Sequence, residues 1–134
     1  MALQFSDTIR HDWLDRIEAL IGPSPILQIR TGYPPVNAAA VSTGTLLCTI
    51  NLPADWMADA ASGAKAKLGT WSSTTSVTGT PGHFRLLDTA GTVCGMQGVC
   101  SELDFGGDME IDVVPIVTGR SFIVATFTLT APGA

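Results

Sequence analysis

The sequence predicts a mainly β fold: an antiparallel β-sandwich of jelly-roll type preceded by one N-terminal α-helix. Three observations lead there. Apolar residues recur at helical spacing up to Gly22-Pro23 and alternate after it. From Pro23 onward, about seven or eight short β-prone runs are separated by turn signals such as Asp88-Thr89-Ala90-Gly91 and Phe105-Gly106-Gly107-Asp108. The later runs are joined by connections too short for a crossover helix, which excludes parallel βαβ units. The chain therefore divides into an arm and amphipathic helix over 1–22 and a sandwich domain over 23–134. No internal repeat is visible.

The helix begins at Ser6, an N-cap residue, with Asp7 adding negative charge to the first turn. Ile9, Trp13, Leu14, Ile17, Leu20 and Ile21 form its apolar face; Arg10, His11, Asp12, Asp15, Arg16 and Glu18 form the polar one. A strand follows over 25–31, with Leu27 and Ile29 on one face and Gln28 and Arg30 on the other. The connector 32–37 carries two consecutive prolines, which no central strand accepts. A second strand spans 46–52, with Leu46, Cys48, Ile50 and Leu52 pointing one way. The alanine-rich stretch 53–67 has no apolar stripe and is interrupted by Pro53 and Ser62-Gly63, so it reads as a loop with a short strand. A further strand is expected over 67–72, and 72–81 is a Ser/Thr/Gly-rich loop. Strands are then expected over 83–88, over 92–103 with a bulge at Gly95 or Gly98, and over 121–130. Between the last two, Met109, Ile111 and Val113 alternate with Asp108, Glu110 and Asp112 as a half-buried strand.

Composition narrows the function. Only 14% of the 134 residues are charged while 46% are apolar, whereas an ordinary domain carries about 25% charged residues. A surface so poor in charge is one that other protein covers. With net charge −5 and seven Lys plus Arg, the chain lacks the clustered cations that a nucleic-acid backbone or an anionic membrane demands. No apolar run reaches the length of a membrane span. The N-terminus lacks a basic region followed by an apolar run, so maturation in the cytoplasm is expected. Cys48, Cys94 and Cys100 fit neither a disulfide framework nor a zinc site. Cys94 and Cys100 fall on one strand about 20 Å apart, beyond bridging distance, and all three read as buried free thiols.

The residues that could carry chemistry have plainer roles. His83 has Asp88 downstream and many Ser and Thr in reach, but no GxSxG elbow accompanies them, and it heads a strand, where packing or capping suits it better than catalysis. Asp108, Glu110 and Asp112 lie on one strand face and diverge by about 7 Å per step, unlike a curled calcium loop. They form a solvated acidic face or a complement to a partner's basic patch. The glycines around 91 and 106–107 precede no helix and cradle no phosphate. Trp13, Trp56 and Trp71 are core or interface anchors before they are a carbohydrate platform. The expectation is a protein that is not an enzyme and uses no cofactor or metal. Phe5, Ile9, Trp13 and Ile17 are its candidate docking residues, with Asp108, Glu110 and Asp112 as a second candidate interface. If the helix docks only on neighbours, removing 1–22 should leave a folded β domain.

The order of short motifs carries a resemblance. Met1-Ala2-Leu3-Gln4-Phe5-Ser6-Asp7-Thr8-Ile9-Arg10 is followed by Leu27-Gln28-Ile29-Arg30-Thr31-Gly32-Tyr33-Pro34-Pro35 and Thr43-Gly44-Thr45-Leu46-Leu47. Then come Gly69-Thr70-Trp71, Gly79-Thr80-Pro81-Gly82-His83-Phe84-Arg85 and Asp88-Thr89-Ala90-Gly91-Thr92. Over nearly the whole chain this resembles a family of small virion structural proteins of tailed bacteriophages and prophages. The resemblance implies a β-sandwich subunit present in many symmetric copies, first of all a capsid cement or decoration protein and second a neck or tail component. It implies a homo-oligomer, a trimer among the options, that contacts the major capsid protein or other virion proteins after synthesis in the bacterial cytoplasm. A tail-associated receptor- or glycan-binding module using Trp56, Trp71 or Tyr33 is the alternative.

Overall fold

A computed structural model describes residues 3–73, 76–112 and 114–133. The expected positions Met1, Ala2, Thr74, Thr75 and Val113 lie outside the described residues, as does Ala134. The fold is mainly β with one helix. Helix α1 (Asp7–Ile21) precedes strands β1 (Ile26–Arg30), β2 (Leu46–Asn51), β3 (Ala64–Ala66), β4 (Ser72–Ser73), β5 (His83–Leu87), β6 (Cys94–Glu102), β7 (Met109–Ile111) and β8 (Phe122–Thr130).

The strands form one open mixed sheet in the order β2-β1-β5-β6-β7-β8-β3, with β4 also paired to β8. Every pairing is antiparallel except that of β6 with β7, where Cys100, Ser101 and Glu102 run parallel to Met109, Glu110 and Ile111. This corrects the all-antiparallel expectation, and side chains explain how so short a connection can reverse twice. Asp108 accepts from Val99 N at 2.9 Å, Ser101 Oγ from Gly107 N at 2.9 Å, and Glu110 from Gly106 N at 3.1 Å. The return leg 103–108 is thus tied to strand edges by polar side chains in place of a crossover helix.

The sheet curls around a single core. Phe84 on β5 meets Phe127 on β8 edge-on at 5.5 Å, and Trp71 lies 5.7 Å from Phe127 and 6.2 Å from Trp56. Leu27, Ile29, Ile50, Leu86, Met109, Ile111 and Val124 complete the buried cluster, and removing that apolar surface from water is the main stabilising term. Two irregularities place side chains. Ile29 faces Cys48 while Arg30 faces Leu46, so Leu47 is an extra residue that turns inward and leaves Leu46 exposed, against the expected alternation. Leu86 pairs with Met96 and Leu87 with Cys94, which makes Gly95 the expected bulge. A Cβ at Gly95 would stand 2.7 Å from the Ile21 side chain, so glycine here also lets the helix approach the sheet.

The stretch 53–67 does supply a short strand, β3, paired with β8. Of the strand expected over 67–72 only Ser72, the first residue of β4, and the bridge of Lys67 to Met57 form. Among the described residues no helix is long and apolar enough to cross a membrane.

Candidate functional site

Helix α1 is set with part of its polar face inward and part of its apolar stripe outward. Ser6 Oγ accepts from Ile9 N and caps the helix as anticipated, and Gly22 ends it at φ +95°. Between the caps, Leu14 and Arg10 are buried, whereas Ile9, Trp13 and Leu20 are 45%, 41% and 71% exposed. At about 100° per residue the apolar residues span an arc from Leu14 round to Ile9. Only its Leu14, Ile21 and Ile17 side faces the protein.

The reason lies in β3. Lys65 is 2% exposed and its ammonium needs counter-charges, which Asp15 and Glu18 supply at 2.7 and 2.8 Å. Burial pulls the Lys65 pKa down, but hydrogen bonds and charge from both carboxylates outweigh it and the net shift is upward. The hydrogen bond from Lys65 is likewise the first cause that lowers Asp15. The same helix face satisfies loop amides. Glu18 accepts from Met57 N, Asp15 from Ala60 N, and His11 Nε2 from Gly63 N at 2.9 Å. Arg10 donates to Ala131 O at 3.0 Å and pairs with Asp7 at 3.1 Å. Gly63 sits at φ +75°, and a Cβ there would reach to 2.2 Å from the Arg10 guanidinium. The helix is therefore a polar clamp on the 57–66 segment and the C-terminal strand end. Removing 1–22 would strand Lys65, so point substitutions on the outer flank are the cleaner probe of docking.

Of the residues expected to dock, Phe5, Trp13 and Ile9 lie on or beside the outer flank. Phe5 N donates to Gly133 O at 2.8 Å, and its ring stacks edge-on against Trp13 at 4.7 Å. Ile17 is half-buried, turned toward Gly95, Met96 and Leu129 of the sheet. The result is an apolar row, Ile9-Trp13-Leu20, propped by Phe5 and facing solvent.

The second expected surface is differently arranged. Asp108, Glu110 and Asp112 are all engaged by their own chain: Asp108 with Val99 N, Glu110 with Thr126 Oγ1 and Gly106 N, Asp112 with Ile123 N. The bond from Thr126, then that from Gly106, holds Glu110 below its ordinary value. Asp108 and Glu110 fasten the connection of the parallel β6–β7 step, while Glu110 and Asp112 also tie this segment to β8. Among the described residues no group of three or more His, Cys, Asp or Glu is placed to hold a metal ion.

The tempting aromatic and nucleophilic residues are internal. Trp56 and Trp71 are buried and donate to Gly22 O and Leu68 O, each at 3.0 Å, so neither offers a face for sugar stacking. Of that set Tyr33 alone is well exposed, at 89%. His83 is fully buried, with Nδ1 3.0 Å from Gly32 O. It is one of three anchors of the 32–42 loop, with Gln97 donating to Pro35 O and Arg85 to Ala38 O and Ala40 O. Sequence reasoning missed this strap. The available signal was the outward row Gln28, Arg30, His83 and Arg85, too polar to be left under a loop without a purpose.

All three cysteines are free, Cys48 and Cys100 buried and Cys94 half-buried. Burial pushes the Cys48 and Cys100 thiols up to about 12. Alkylation with iodoacetamide at pH 8 should modify one thiol per folded chain, Cys94, and three after denaturation; peptide mapping that finds Cys48 or Cys100 modified in the folded protein contradicts this. No protein-family model matches the chain, and no curated protein and no solved structure is similar to it.

Proposed function

We propose that this chain is a structural assembly subunit of a phage particle, working by burial of apolar surface against other protein chains. The observation that carries the reading is the outward row Ile9, Trp13 and Leu20 on a helix whose inward face is held by charges. A helix that spends its polar groups on its own chain while turning tryptophan and leucine to solvent is suited to a protein partner. The order of motifs supports a virion setting, and a capsid cement or decoration protein is the first assignment, with the neck or tail second. In this reading the curled sheet plays the part of the two-layer sandwich: β1-β5 faces β8 across the Phe84–Phe127 contact. The mechanism is thermodynamic. A subunit that binds the assembled shell and not its free components stabilises the shell by mass action.

The test uses Trp13→Ser together with Leu20→Ser. Leu20 is 71% exposed and Trp13 41% exposed with its main ring contact to Phe5, outside the core, so stability should change by no more than about 1 kcal/mol. Particles assembled with the variant should carry at least tenfold fewer copies by quantitative gel densitometry. Hundreds of wild-type copies per particle assign the head or tail tube, and about a dozen the neck. Wild-type chain that is absent from purified particles and sediments as a monomer at high concentration sinks the proposal.

A further inference from the structure

The outer face of β1, β5 and β6 holds two guanidinium groups and, among the described residues, no counter-charge paired with them. Gln28 lies directly across from Arg85 in the β1–β5 register, which puts Arg30 on the same face one diagonal step away. Both arginines line a cleft of about 710 Å³, roofed by 38–42 and bordered by Thr92 and Val93. Arg85 is 3% exposed. Its Nη1 donates to Gln97 Oε1 at 2.9 Å and its Nη2 to Ala38 O and Ala40 O, both at 2.9 Å, while Nε has no hydrogen-bond partner. Arg30 is half-buried and spends Nε on Gln28 Oε1 at 3.1 Å and Nη1 on long contacts to Thr43 O and Gly44 O. The carboxylate on the adjoining turn, Asp88, is taken by Thr92 N, Thr92 Oγ1 and Val93 N.

Among the described residues neither arginine has a carboxylate partner, although the chain carries five more negative than positive charges. Neutral carbonyl and amide oxygens satisfy hydrogen bonds of Arg85 but leave its charge uncompensated in a poorly hydrated place. Burial and then the neighbouring Arg85 charge lower the Arg30 pKa, as two unscreened cations require. An oxyanion cancels both effects at once, and guanidinium is the side chain best matched to one.

We propose that this cleft is an oxyanion-binding site, in which Arg30 makes the direct contact and Arg85 supplies fixed positive charge from behind. The ligand class is a carboxylate or phosphate group, brought by a free small anion or by an acidic side chain of a docking protein. The site stands whether or not the chain is a virion subunit.

The test titrates the full chain with inorganic phosphate and, separately, with acetate, at ionic strength held constant with chloride. Isothermal calorimetry and thermal melting are the readouts. Saturable binding to at least one anion is expected, together with a rise in Tm that chloride does not reproduce. Arg30→Gln, a half-buried position outside the strap's anchors, should weaken it at least tenfold. Phosphate bound tenfold more tightly than acetate identifies a phosphate ligand; acetate bound as well or better identifies a carboxylate. If neither anion binds beyond the chloride control, or if Arg30→Gln binds as well as wild type, the site does not exist.

Discussion

Neutralising Asp15 and Glu18 together, as Asp15→Asn with Glu18→Gln, should destabilise the protein by about 3–5 kcal/mol, measured by chemical denaturation at pH 7. The loss arises because Lys65 stays buried while both carboxylates that balance its charge are gone. Lys65→Met should cost less, about 1–2 kcal/mol: Asp15 is half exposed and can rehydrate, and methionine fills the buried stem with apolar volume. The order of the two effects is the informative result. If Lys65→Met is the more damaging change, the helix is held by something other than compensation of the lysine.

The pH dependence of the same clamp has a definite sign on each side. The Asp15 pKa is depressed below its ordinary 3.8, so its contribution is present above that value and is lost as pH falls through the folded-state pKa. The Lys65 pKa is raised above its ordinary 10.5, so its contribution is complete below that value and is lost as pH rises through the higher folded-state pKa. The clamp therefore operates between the carboxylate range and strongly alkaline pH. The double variant should lose less stability than the wild type on acidification through the carboxylate range, the remaining loss coming from carboxylates such as Glu110 that it retains.

Trp71→Ala should cost about 3–5 kcal/mol, the range for deleting a large aromatic ring from a close-packed core. Trp71 is 1% exposed, packs between Trp56 and Phe127, and donates to Leu68 O, which the alanine leaves without a donor. A thermal melt that moves by less than about 3 °C would mean the ring is not the core element described. Any loss of ligand or particle binding in this variant reports unfolding, so Trp71 cannot serve as a test of sugar recognition, whereas Tyr33→Ala can.

Much of the local structure was legible in the chain. Ser6 and Gly22 bracket α1, the β1, β5, β6 and β8 runs fall within one or two residues of their expected limits, and Gly95 is a bulge. These features depend on neighbours in sequence: a cap oxygen, a turn glycine, a run of β-branched residues. The apolar stripe of Ile9 and Trp13, with Phe5 beside it, was legible for a different reason: its spacing shows an apolar helix face without showing what that face meets. The parallel β6–β7 step was not legible, because it rests on three side-chain bonds across a reversal that has no sequence signature.

The amino-acid sequence by itself determined that this is a mainly β protein with one N-terminal helix, poor in charge and with an apolar helix stripe. Those properties follow from periodicity and composition, which are local. The tertiary structure alone decided which way that helix turns. Lys65, far along the chain, arrives beneath it and draws Asp15 and Glu18 inward, because a buried ammonium without counter-charge costs more than three apolar side chains left in water. It also placed Arg30 and Arg85 side by side under a loop, since strand register, which pairs residues distant in sequence, sets which charges become neighbours.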